Sequence, residues 1–277
     1  MNRFTTSDGL SLAYWDEGAG VPVLCLAGLT RNRMDFDDVA AKIGGEVRLV
    51  RMDYRGRGAS DWALDHTTYS IPREALDAIE LLNHLGIERA LILGTSRGGL
   101  IAMTLAATAK DRLLGVILND IGPEIAEVGL DFIKTYIGRA PEAKTYTALG
   151  TAMAGALETV FTGVTAARWA ACAPRWFEET PEGLTLQYDA KLRDAVLEAG
   201  AQPMPDLWPL FDALEGLPIG LIRGANSDIL TSDTAAEMRR RRPDMAFAEI
   251  PDRGHVPFLD EPEALAVIRA VIAKVSS

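Results

Sequence analysis

Gly94-Thr95-Ser96-Arg97-Gly98 sets a hydroxyl between two glycines, at the junction of the apolar run Leu91-Ile92-Leu93 and a stretch from Leu100 to Ala107 without glycine or proline. The run suits a strand buried on both faces, and the stretch suits a helix. A strand that turns at once into a helix strains its central residue, and bulky side chains two positions to either side would collide. Glycines at 94 and 98 remove that collision. The strain lifts the Ser96 hydroxyl clear of the turn and aims the first amides of the helix at the same space, the arrangement of a nucleophile elbow. A serine alone is a weak nucleophile and needs a base, which in turn needs an orienting group. The chain has three histidines. His84 falls at the end of an expected helix, Pro72 to Leu85, and reads as a C-terminal cation. His255 follows the serine, in a loop between a strand and the last helix, and is the expected base.

Three segments together resemble the α/β-hydrolase superfamily: Gly94-Thr95-Ser96-Arg97-Gly98-Gly99, the loop Asp53-Tyr54-Arg55-Gly56-Arg57-Gly58-Ala59-Ser60, and Gly254-His255-Val256-Pro257-Phe258-Leu259-Asp260-Glu261-Pro262. The resemblance covers nearly the whole chain. It implies Ser96 as nucleophile, His255 as base and, after the strand 218–223, Asp228 as the acid, although Gly224-Ala225-Asn226-Ser227-Asp228 is one residue longer than the common G-x-x-D. Asp120, after the preceding strand, is the alternative acid, since some members carry it there. The oxyanion donors implied are the backbone amides of Leu29 and Arg97; Ala27 replaces the usual histidine of the first loop without removing a backbone group. Members that act on haloalkanes or epoxides carry aspartate at the nucleophile position, so Ser96 points instead to acyl transfer: hydrolysis of a small carboxylic ester through an acyl-enzyme. A lactonase, a C–C bond hydrolase and a slow, receptor-like hydrolase scaffold use the same residues and stay open. The resemblance requires no metal or organic cofactor.

The order of elements carries these residues. Residues 3–6 and 10–17 read as a hairpin turning at Asp8-Gly9. Apolar strands are expected at 21–26, 47–52, 91–93, 113–118, 218–223 and 246–250, with helices between them, the pattern of a mostly parallel sheet covered on both faces. Nearly a hundred residues separate the strand at 113–118 from the next, far more than a crossover helix needs. Residues 123–205 are therefore expected to form an inserted helical cap, with 1–122 and 206–277 as the α/β core. Trp169, Trp176 and Tyr188 are its candidate substrate-binding residues. Loops at the carboxyl ends of the strands should converge on one crevice. Gly28-Leu29, Ser96, Asp228 and His255 all fall there.

Composition bounds the partners. At 277 residues, 48% hydrophobic and 24% charged, the chain is an ordinary globular enzyme in make-up. Its net charge of −11 disfavours nucleic acid and anionic membrane, leaving a small-molecule ester as the expected partner. Arg239 to Arg242 abut Pro243 and read as a helix terminus. The Arg/Gly-rich loop at 53–60 lacks the ending of a phosphate-binding loop and reads as a turn. Cys25 and Cys172 show neither metal spacing nor a disulfide framework. The first residues lack a secretion-signal core and no stretch is long and apolar enough to span a bilayer, so a cytoplasmic location is expected.

Overall fold

The computed structural model describes residues 1–276. Among the described residues ten strands form: β1 Asn2–Thr5, β2 Ser11–Gly18, β3 Pro22–Leu26, β4 Arg48–Met52, β5 Ala90–Thr95, β6 Leu113–Asn119, β7 Phe177–Thr180, β8 Gly183–Leu186, β9 Ile219–Gly224 and β10 Ala246–Ile250. The helices are α1 Asp37–Ile43, α2 Ile71–His84, α3 Arg97–Thr108, α4 Glu127–Tyr136, α5 Tyr146–Ala156, α6 Ala166–Cys172, α7 Leu192–Gly200, α8 Trp208–Asp212, α9 Ser232–Arg241 and α10 Pro262–Val275.

Eight strands make one sheet in the order β1-β2-β4-β3-β5-β6-β9-β10. β1 and β2 are the antiparallel edge, the hairpin expected at Asp8-Gly9, and every pairing from β4 onward is parallel. All six residues of β5 are buried, as a strand covered on both faces demands. Alternation along β6 shows the two layers. A Cβ on Gly115 would meet Val275 of α10, whereas Leu118 and Ile121 press on Gly99 of α3. The four-arginine run closes α9, where Arg240 and Arg241 pair with Glu237 and Arg242 bonds the Leu214 and Leu217 carbonyls.

Between β6 and β9 the chain leaves the sheet to build α4 to α7. The expectation of helices alone is corrected here: β7 and β8 form an antiparallel hairpin inside the insertion. The tetrapeptide Thr180-Pro-Glu-Gly183 turns it, with Gly183 at φ 132°, a value that glycine tolerates and other residues rarely adopt. This cap has small apolar cores of its own. One gathers Phe161, Val164, Trp169, Cys172 and Trp176; another gathers Leu149, Ala173 and Leu184. Both cysteines are free and buried, and burial pushes the Cys25 thiol far above its ordinary pKa.

Candidate active site

Strand register brings the site together before any side chain is considered. Leu26 of β3 pairs with Gly94 of β5, so Gly28 and Ser96, each two residues further on, emerge side by side. A Cβ placed on Gly28 would lie 3.9 Å from the Ser96 Cβ. Thr95 pairs with Asn119 of β6, which sets Ser96 beside Asp120, and the Ser96 amide donates to the Asn119 carbonyl at 2.9 Å.

Ser96 has φ 50° and ψ −114°, a strained conformation for a residue with a side chain. The flanking glycines permit it. A Cβ on Gly94 would stand 2.5 Å from the Gly98 carbonyl oxygen, and one on Gly98 would stand 2.0 Å from the Leu26 carbonyl oxygen. Among the described residues the amides of Leu29 and Arg97 donate to no protein acceptor.

The Ser96 hydroxyl lies 2.8 Å from His255 Nε2, and His255 Nδ1 lies 2.8 Å from Asp120 Oδ2. Asp120 is completely buried yet fully satisfied: Oδ1 accepts from the Gly224 amide at 2.7 Å and Oδ2 also accepts from the Ser227 hydroxyl at 2.6 Å. The carboxylate at His255 is thus Asp120, and the expectation for Asp228 is corrected. The reason lies in the extra residue of the β9 loop. Three residues after Gly224, where G-x-x-D would place its aspartate, stands Ser227, and it turns its hydroxyl to Asp120. The Asp228 backbone carbonyl meanwhile abuts Gly129 of α4.

A buried ion network, which motif spacing gave no means of finding, braces the segments that carry Leu29 and Arg97. Glu74 of α2 is fully buried and receives Arg57 at Oε1 and Arg97 at Oε2. Arg57 Nε donates to the Leu29 carbonyl at 3.0 Å, and Arg97 Nη2 to the Tyr69 carbonyl at 2.9 Å. Burial alone pushes the Glu74 carboxyl up; Arg57 and Arg97 outweigh it and hold the group below its ordinary pKa. The Arg/Gly loop is therefore a turn, as read, but its arginines face inward.

The aromatic residues proposed to touch substrate are placed in packing. Trp169 meets Phe161, Trp176 and Phe258 edge-on or tilted. Tyr188 packs with Tyr69, Ile137 and Leu192 and accepts from the Gly138 amide at 3.0 Å. Trp176 donates to Asp35 at 2.9 Å and carries the Arg31 guanidinium over its ring at 4.0 Å. His84 bonds Tyr14 and His66 bonds Glu198, both away from Ser96. No helix among the described residues is long and apolar enough to cross a membrane.

Sheet, elbow and converging loops define an α/β hydrolase, and the model of the alpha/beta hydrolase family matches residues 23–268; the chain belongs to that family. It is 36% identical over 262 residues to the 3-hydroxybutyrate-oligomer hydrolase of Cupriavidus necator, covering 91% of this chain and 89% of that one. An alpha/beta hydrolase from Novosphingobium aromaticivorans superposes with a TM-score of 0.91 at 38% identity, covering 99% of this chain and 97% of the other. A thermophilic esterase from Thermogutta terrifontis shares the fold over both whole chains, with a TM-score of 0.74 at 24% identity.

Proposed function

We propose that this hydrolase cleaves small carboxylic esters through an acyl-enzyme, with Ser96 as nucleophile, His255 as base and Asp120 as the acid. The observation that carries the reading is the unbroken hydrogen-bonded chain from the Ser96 hydroxyl through both nitrogens of His255 to a buried, fully bonded carboxylate. Ser96 Oγ attacks the ester carbonyl carbon while its proton passes to His255 Nε2, and the carbonyl electron pair moves onto oxygen. The amides of Leu29 and Arg97 receive that oxyanion. Collapse breaks the bond to the alcohol, which leaves with the proton from His255. Water then attacks the acyl-enzyme with His255 again as base, and the carboxylic acid departs. Asp120 keeps the imidazole in the tautomer whose Nε2 faces the serine and stabilises the imidazolium between steps.

The Cupriavidus necator relative supports esters of short hydroxy acids as the first substrates to assay. Replacing Ser96 by Ala should lower turnover of such an ester by roughly 10⁴- to 10⁶-fold without unfolding the chain. A fluorophosphonate should label the wild-type protein at Ser96 alone. Ester hydrolysis at the wild-type rate in Ser96→Ala, on a folded protein, would refute the proposal.

A further inference from the structure

Arg31 lies two residues beyond Leu29, and its use of its own charge is unusual for an arginine inside a protein. The side chain is a third exposed, and its nearest carboxylate oxygen, on Asp35, is 3.9 Å from Nε, beyond hydrogen-bonding distance. Among the described residues it donates no side-chain hydrogen bond. Its neighbours contrast with it: Arg33 reaches Asp37, Arg57 reaches Glu74 and the Leu29 carbonyl, and Arg97 reaches Glu74 and the Tyr69 carbonyl. What holds Arg31 instead is the face of Trp176, 4.0 Å from the guanidinium carbon. Stacking fixes the plane of a guanidinium without using its N–H groups, which all lie in that plane and point outward from it.

The position matters as much as the posture. A Cβ on Gly28 would meet Arg31 Cγ at 3.4 Å and Ser96 Cβ at 3.9 Å, so the arginine stem and the nucleophile flank one glycine. Burial pushes the Tyr136 and Tyr188 phenols up in pKa and the Arg31 charge opposes that rise in both, which places the guanidinium within electrical reach of two cap residues. It therefore stands between nucleophile and cap. Asp35 is the carboxylate that faces it: burial pushes its carboxyl up and the Arg31 charge opposes that rise, but Oδ1 is taken by Trp176 Nε1 at 2.9 Å and Oδ2 stays at 3.9 Å, so the ion pair leaves the guanidinium N–H groups without a hydrogen bond.

From the stacked, unbonded guanidinium beside the oxyanion loop, we infer that Arg31 anchors a carboxylate carried by the substrate a few bonds from the scissile ester. The preferred substrates are then short, acid-ended esters. A carboxylate accepts two parallel N–H bonds from an arginine fork, and it is the planar fork, not charge alone, that gives this selectivity. Long-range attraction does not supply it, because a chain of net charge −11 repels an anion until it meets a local cation. The inference rests on the ester-hydrolase reading for its scissile bond, while the anchoring itself is a binding property.

The test uses the linear dimer of 3-hydroxybutyrate as the free acid and as its terminal primary amide, equal in chain length, each with a single ester bond, and different in end charge. Wild-type kcat/KM should favour the free acid by about 10-fold or more, and Arg31→Gln should collapse that ratio by about 10- to 100-fold, the range for a charge-assisted pair. Arg31→Lys should restore only part of it. Binding is measured separately by calorimetry in the Ser96→Ala background, where Arg31→Gln should weaken the free acid at least 10-fold. Equal loss for both compounds, or no wild-type preference for the acid, overturns the anchor. If neither compound is hydrolysed but the charge-dependent binding difference appears, the ester reading fails and the anchor stands.

Discussion

At the scale of the residue, Asp120 gathers more of the site than its sequence position suggests. It has φ 56°, a backbone conformation unfavourable for most side chains but tolerated by aspartate. In it, the amide reaches the Ile222 carbonyl at 2.8 Å while the carboxylate accepts from Gly224, Ser227 and His255. Replacing Asp120 by Asn keeps the size but puts a donor where acceptors are needed, which favours the wrong imidazole tautomer. The expected loss is on the order of 10³- to 10⁴-fold in kcat. Asp228→Asn, whose side chain takes no part in that cluster, should cost less than about 3-fold. The comparison is read from steady-state kinetics on both folded variants, and a larger loss in Asp228→Asn would reverse the assignment. Ser227→Ala should fall between the two, since it removes one of three donors. Sequence spacing pointed to Asp228 and not to Asp120 as the partner of His255, because a one-residue difference in a loop is invisible until the register of β6 against β9 is known.

At the scale of the element, the loop after β3 that carries Leu29 and the first turn of α3 are separate in sequence but are tied to one carboxylate on α2. Through Arg57, Glu74 holds the Leu29 carbonyl; through Arg97, it holds the residue that follows the nucleophile. Glu74→Gln leaves two buried arginines with a weaker partner, and removing one member of a buried pair costs about 3 to 5 kcal/mol of stability. If the network also positions the oxyanion donors, kcat should fall on the order of 10-fold or more with little change in KM, because the lost contact acts in the transition state. Affinity for a boronic acid that forms a tetrahedral adduct with Ser96 should fall in step. A folded Glu74→Gln protein with wild-type kcat would show that the network serves stability alone. The elbow itself was readable from Gly94 and Gly98, since steric exclusion acts over four residues of chain. Glu74, Arg57 and Arg97 were not, because a pairing across 17 to 23 positions leaves no periodic trace.

At the scale of the whole molecule, the parallel sheet was legible because its strands β3 to β6, β9 and β10 are largely apolar runs with a helix after each, whereas the cap was legible only as an excess of length. Its hairpin, Phe-Glu-Glu-Thr in β7 and Gly-Leu-Thr-Leu in β8, lacks a clear alternation and was hidden among helix formers, and tertiary ion pairs link the cap to the core. Asp38 of α1 is the centre of those pairs. Its Oδ2 accepts from Arg175 at 2.8 Å and from Arg168 at 3.0 Å, and Arg168 also reaches Asp260 at 2.7 Å. The hydrogen bond from Arg175 holds the Asp38 carboxyl below its ordinary pKa, with burial opposing. A folded-state pKa lower than the unfolded one gives stabilisation that is complete above the unfolded aspartate value of about 4 and is lost as pH falls through the depressed folded value. The cap should therefore loosen at the acid end of that window, and Asp38→Asn should loosen it already at neutral pH. The pair is partly solvated, so its contribution is discounted to about 1 kcal/mol, which corresponds to a fall in Tm of about 2 °C and about a 5-fold rise in local opening. Hydrogen exchange of residues 166–177 at pH 7, corrected for intrinsic rates, measures it directly. Equal protection in wild type and Asp38→Asn would mean that the apolar contacts of Trp169 and Trp176 seat the cap without help from the ion pairs.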